Sequence, residues 1–442
     1  MGLTVGAALW SLLLAPPPAS AEEYPPDALR AEAALRNEAL VKEGFNLTHG
    51  FAFGGTARGR VRTDLFVPPS DAEHSLRLWA ETRSGEVAIR LVAPDGTSLL
   101  AWSGRSGELR LVRRLPPGRY QLEIDGGGAE GGRAILGVKG PVVEECRVDA
   151  GGLVERPAAP DHGFHWPYLL WTPAQIRAGH LLVVPNNTGF PTEDPKLLRA
   201  AGSCALVGHV RLADRLGVPL LVPLFPRPPL PGEEGSLYLH ALTRASLEVQ
   251  LPLLRRVDLQ LLAMIEDVTE RLHRSGTPLA RRVLLTGFSA SGSFVNRFAV
   301  LHPDRVLAVA SGSPGGWPVA PVADVEGEAL PWPVGVADVE MLVGRPIDGK
   351  ALARVAWFLF LGAEDTNDAV PHRDSFSKAN EALILRRFGP TPVSRWKAAE
   401  RLYRQRGPDA RFELYPGAGH TLTPGMAAGV EAFFRAALER EK

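Results

Sequence analysis

Cysteine is nearly missing from this chain, with 2 in 442 residues, Cys146 and Cys204. No zinc or iron–sulfur ligand set can be built from so few thiols, and the sequence implies neither a metal nor another cofactor. In an oxidising compartment the two can bridge, tying the segment between domains to the second domain; two free buried thiols fit the sequence equally well. Net charge is missing too: Lys plus Arg and Asp plus Glu are 49 each. No overall field gathers nucleic acid or an anionic membrane. Arg110, Arg113 and Arg114 are interleaved with apolar residues, as on the solvated face of a strand. Long apolar runs are also lacking, and no transmembrane candidate follows residue 21.

At the amino end there is an apolar run over residues 6–14, then Pro16-Pro17-Pro18 and the small-residue site Ala19-Ser20-Ala21. That layout predicts a secretory signal peptide over residues 1–21, although no Lys or Arg precedes the run. The expected mature protein is secreted or periplasmic and has no membrane span. A length of 442 residues suits two domains. Residues 22–45 carry Ala, Leu, Glu and Arg at helical spacing and predict an amphipathic lead-in helix. Over 46–142, segments such as 60–67, 76–81 and 87–92 alternate apolar and polar. Pro94-Asp95-Gly96, Pro116-Pro117-Gly118 and Gly126-Gly127-Gly128 separate them. Short alternating strands with turns between them predict a small all-β sandwich. Residues 143–164 read as a linker.

From 165 to 442 the pattern is that of an α/β domain. Continuous apolar runs at 181–184, 218–222, 282–286, 306–310 and 356–361 alternate with helical segments. Such runs are strands buried on both faces of a mainly parallel, doubly wound sheet, and active residues of such sheets lie just past the strand ends. Three candidates do so. Gly287-Phe288-Ser289-Ala290-Ser291-Gly292 follows the 282–286 run and leads into a helix, as a nucleophilic serine on a sharp turn requires, with Ser291 where glycine is usual. Gly362-Ala363-Glu364-Asp365-Thr366-Asn367-Asp368 follows the 356–361 run; Asp365 is the better-placed acid for orienting a histidine base, and Asp368 is the alternative. Pro416-Gly417-Ala418-Gly419-His420 places His420 on a Gly-rich loop near the carboxyl end. Among the other histidines, His162, His165 and His240 flank expected rim segments.

In this order Ser289, Asp365 and His420 resemble the triad of the α/β-hydrolase superfamily over residues 165–440. The Gly-Phe-Ser-Ala-Ser and Pro-Gly-Ala-Gly-His elements look most like secreted esterases related to polyhydroxyalkanoate depolymerases and feruloyl esterases. The resemblance implies a serine hydrolase acting on a small-molecule or polymer ester through an acyl-enzyme. It also implies an oxyanion hole built from the N–H of Ala290 and that of Asn187 or Thr188, although the usual His-Gly of that loop is absent. The stretch 115–122 resembles accessory sandwich domains of secreted hydrolases. The insertion at 313–350 bears Trp317 and Trp332 and is expected to build a lid or substrate pocket. A peptidase on the same fold, an acyltransferase and a non-catalytic carbohydrate or cell-wall binder remain open alternatives.

Overall fold

The computed structural model describes residues 47–53, 60–67, 73–126, 129–140, 143–146, 151–186, 192–228, 239–371, 375–405, 407 and 410–441. The signal peptide and lead-in helix expected at 1–45 lie outside them. The chain divides into two compact units, one of residues up to 147 with 188–208, the other of 148–187 with 209–442.

Among the described residues of the first unit, nine strands form two antiparallel sheets. One contains β1 (Leu47–Phe53), β3 (His74–Ser84), β6 (Ser106–Arg113) and β8 (Glu130–Lys139), in the order β1-β8-β3-β6. The other contains β2 (Arg60–Val67), β4 (Val87–Val92), β5 (Ser98–Gly104), β7 (Gly118–Asp125) and β9 (Val143–Glu145), in the order β5-β4-β7-β2-β9. Alternating side chains of both sheets meet in one core: Leu76, Leu78 and Ala80 of β3 join Val87, Ile89 and Leu91 of β4 and Tyr120, Leu122 and Ile124 of β7. Period-two alternation in the sequence produces this one-sided burial. Cys146 and Cys204 form a disulfide within this unit, their Cα atoms 4.8 Å apart.

The second unit is a mixed α/β structure around an eight-stranded, mostly parallel sheet. Its strands are β10 (Leu153–Arg156), β11 (Tyr168–Trp171), β12 (Leu182–Val183), β13 (Leu220–Pro223), β14 (Val283–Phe288), β15 (Val306–Gly312), β18 (Ala356–Gly362) and β19 (Arg411–Tyr415). They run in the order β10-β11-β13-β12-β14-β15-β18-β19, with only the β10/β11 and β11/β13 pairs antiparallel. A two-stranded hairpin, β16 (Asp324–Val325) and β17 (Glu328–Ala329), stands apart. The helices are α1 (Pro195–Leu216, which begins in the first unit), α2 (Arg244–Glu248), α3 (Val257–Arg274), α4 (Ala290–Leu301), α5 (Val339–Val343), α6 (Gly349–Leu352), α7 (Lys378–Phe388), α8 (Pro392–Arg404) and α9 (Pro424–Arg440).

Strands β11 to β15 are buried at every residue, so both faces of the sheet are covered. In β18, Trp357, Leu359 and Leu361 enter the core that α3, α4 and α8 help build, while Phe358 packs on Phe433 of α9. The sheet order reverses at β12: the chain passes from there to β13 on one side, and from β14 onward steps away on the other. Crevices at such a switch point receive ligands.

Residues 143–164, expected to be a linker, contribute β9 to the first unit and β10 to the edge of the large sheet. Segment 188–208, expected inside the α/β domain, groups with the first unit.

Candidate functional site

Ser289 follows the last residue of β14 and precedes α4, with φ 60° and ψ −124°. A side-chain-bearing residue reaches positive φ only when its surroundings over-determine it, and here they do. A Cβ on Gly287 would lie 2.4 Å from the Ser291 carbonyl oxygen, and one on Gly292 would lie 2.3 Å from that of Gly312. Both glycines are therefore required by backbone approach. Ser291 is no mere substitute for glycine. It is buried, its hydroxyl accepts from the Phe288 N–H at 3.0 Å, and it donates to the Phe288 carbonyl at 2.8 Å.

Asp365 and His420 are carried by neighbouring loops past the parallel strands β18 and β19. Backbone bonds stitch these loops together: Ala363 N–H donates to Tyr415 O and Glu364 N–H to Ala418 O, both at 2.9 Å. The Gly362 position admits no Cβ, which would sit 2.2 Å from Ala418 O.

The three side chains are joined by hydrogen bonds through His420. His420 Nε2 is 3.0 Å from Ser289 Oγ, and His420 Nδ1 is 2.9 Å from Asp365 Oδ2 and 3.2 Å from Oδ1. A carboxylate only accepts, so Nδ1 carries the proton that faces Asp365. Nε2 is then left to accept the Ser289 hydroxyl hydrogen. The Phe288 ring packs on the imidazole with centroids 5.1 Å apart. Asp365 is buried, which by itself would raise its pKa. The charge and hydrogen bond of His420, with the Asn367 N–H, outweigh burial and hold the carboxyl below its ordinary value.

Asp368, the alternative acid, does not meet His420. Its Oδ1 accepts from Arg395 Nη1 at 2.9 Å and from the Val370 N–H at 3.1 Å. Ala290 opens α4, where the first N–H groups have no partner within the helix. Asn187 and Thr188 fall outside the described residues. Just before them, the fully buried Asn186 bonds both backbone groups of Phe225, donating to its carbonyl at 2.9 Å and accepting from its N–H at 3.1 Å. Sequence reasoning missed this clamp, because an Asn beside a turn reads as a turn residue.

Trp317 and Trp332 are corrected. Both, expected in a lid or substrate pocket, are 0% exposed. Trp317 stacks on Phe388 and donates its indole N–H to Val334 O, and Trp332 donates to Leu242 O. His162 is exposed, and His165 is engaged through its backbone N–H with Gln260. Burial, with the Arg227 charge, pushes the His240 ring down to about 3. Among the described residues no group of three or more His, Cys, Asp or Glu is placed to hold a metal ion, and no helix is long and apolar enough to cross a membrane.

No protein-family model and no curated protein matches the chain. Among solved structures it is similar to poly(aspartic acid) hydrolase-1 from Sphingomonas sp. KT-1, at 17% identity and a TM-score of 0.43 over 64% of this chain and 97% of that one. It is also similar to an S-formylglutathione hydrolase from Agrobacterium tumefaciens, at 12% identity and 0.37 over 67% and 98%. A third is MPT51 of Mycobacterium tuberculosis, at 16% identity and 0.39 over 64% and 96%.

Proposed function

We propose that the chain is a serine hydrolase of the α/β-hydrolase type that cleaves carboxylic esters, small or polymeric, through an acyl-enzyme. The observation that carries this reading is the hydrogen-bonded set Ser289–His420–Asp365 at the carboxyl ends of three parallel strands. Ser289 sits on a strained strand-to-helix turn, and the chain order is Ser, Asp, His, both marks of this hydrolase type.

In the proposed reaction His420 Nε2 removes the Ser289 proton as Oγ attacks the ester carbonyl. Asp365 fixes the ring and stabilises the imidazolium. The Ala290 N–H, with that of Asn187 or Thr188, meets the oxyanion. The imidazolium then protonates the departing alcohol, and water activated by the same ring hydrolyses the acyl-enzyme. We assign the first unit as an accessory β-sandwich. The proposed location is secreted or periplasmic, a reading supported by the disulfide, since such bridges persist where the surroundings oxidise.

Ser289→Ala is expected to lower kcat on short p-nitrophenyl esters by about 10⁴-fold or more and to abolish labelling by a fluorophosphonate. Full activity in that variant rules the reading out. Faster turnover of aminoacyl amides than of matched esters would keep the triad and replace the substrate class.

A further inference from the structure

We propose that Asp368 and Arg395 are a positioning pair. Their buried ion pair fixes the loop that carries Asp365, and through it the approach of that carboxylate to His420. This rests on the triad reading above. The pair touches none of the three triad side chains and acts only through backbone.

The loop after β18 is folded by two carboxylates, each accepting from an N–H two residues ahead: Asp365 from Asn367 at 2.9 Å and Asp368 from Val370 at 3.1 Å. The first turn is held from outside by His420. The second is held by Arg395, whose side chain is 1% exposed against 10% for Asp368. Arg395 reaches three segments at once: Nη1 donates to Asp368 Oδ1 at 2.9 Å and to Gly316 O at 3.2 Å, while Nε donates to Gly389 O at 2.8 Å. Gly389 terminates α7, and Arg395 lies in the first turn of α8, so the guanidinium is anchored in helical scaffold. From that anchor it grips two loops beside the site, the one after β15 and the one bearing Asp365.

The contact is close enough to dictate sequence. Gly316 has φ +83°, and a Cβ there would lie 2.1 Å from Asp368 Oδ1. Next to it, a Cβ on Gly315 would meet Ser293 Oγ of α4 at 2.9 Å and Ala369 Cβ at 3.6 Å. The ion pair thus stands where the acid loop, the loop after β15 and the helix behind Ser289 converge. Apolar residues fill buried space at less desolvation cost than an ion pair does. What the planar guanidinium fork adds is direction, because it fixes the angles of its bonds.

The test uses the whole protein, with active sites counted by the endpoint of fluorophosphonate labelling and kcat expressed per labelled site. Asp368→Asn keeps an acceptor for the Val370 N–H and removes the charge. It is expected to lower kcat per site about tenfold with KM within twofold, and to slow the labelling rate by a similar factor, as a small misplacement of a catalytic group does. Arg395→Lys keeps the charge and loses the fork, and is expected to fall between Asp368→Asn and wild type. Because unfolded molecules are not labelled, poor folding lowers the endpoint and leaves kcat per site unmoved. Wild-type kcat per site in both variants overturns the proposal. So does a loss in Asp368→Asn as large as that in Asp365→Asn, which would make Asp368 the acid itself. A wild-type protein that does not label would instead sink the triad reading.

Discussion

In the turn that carries Ser289, the Ser291 hydroxyl satisfies the N–H and the carbonyl of Phe288 while fully buried. In the sequence it stands where glycine is usual, so replacing it with glycine looks like a repair. The structure implies the opposite. Ser291→Gly orphans a buried N–H, at about 1–3 kcal/mol, and adds the helix cost of glycine, so urea denaturation is expected to show lower stability. Asp365 permits a prediction of sign. Its carboxyl is held below the ordinary 3.8 in the folded protein. Its contribution to stability is therefore complete above that value and is lost as pH falls through the lower folded-state pKa. Melting temperatures recorded from pH 6 down to 2.5 should drop more steeply below about pH 4 for wild type than for Asp365→Asn. Equal slopes would remove the carboxylate from the acid response. At this scale Ser289 and Asp365 stand out in the sequence because each follows an apolar run, and His420 because it sits on a Gly-rich loop near the carboxyl end. The spacing favours Asp365 over Asp368, but it says nothing of the distant arginine that takes Asp368.

Among elements, the buried strands β12, β13, β14, β15 and β18 fall within a few residues of the apolar runs, whereas β11, Tyr168–Trp171, is buried at every residue and was not anticipated. β9 and β10 were missed: Val143–Glu145 and Leu153–Arg156 are short edge strands, half polar, and periodicity is silent over three or four residues. The insertion at 313–350, rich in Pro, Gly and Trp, reads in the sequence as a lid or substrate pocket. It packs inward instead: Trp317, Leu330 and Val334 meet Val370, Phe376, Ile384 and Phe388 in a second core, while Val319, Trp332 and Val339 join the main one. Composition cannot separate a tryptophan waiting for substrate from one whose indole is already satisfied by a carbonyl. Trp317→Ala should therefore act on stability, costing about 3–5 kcal/mol, with KM for esters unchanged where the variant is folded. A selective rise in KM at full stability would restore the pocket reading. Asn186 carries a similar expectation. Asn186→Ala leaves both backbone groups of Phe225 unpaired, and amide exchange at Phe225 should accelerate sharply.

For the molecule as a whole, two units were legible from the change of grammar near residue 150, but their composition was not. Residues 188–208 group with strands far earlier in the chain, a non-contiguous contact that no local pattern records. The disulfide binds that segment from within: Cys146 and Cys204 are 58 residues apart in sequence, and both belong to the first unit. Cross-linking a loop of that length removes chain entropy from the unfolded state worth about 4 kcal/mol on the loop-closure model. Since Ser289, Asp365 and His420 all lie in the second unit, losing the bridge should separate stability from chemistry. The variant Cys146→Ser/Cys204→Ser is expected to melt several degrees lower by calorimetry, while its ester turnover per labelled site at 20 °C stays within twofold of wild type. Dithiothreitol should reproduce that shift in the wild-type protein and leave the variant unmoved. An unchanged melting profile in the variant would mean that the bridge constrains nothing in the unfolded chain, and the argument from loop length would fail.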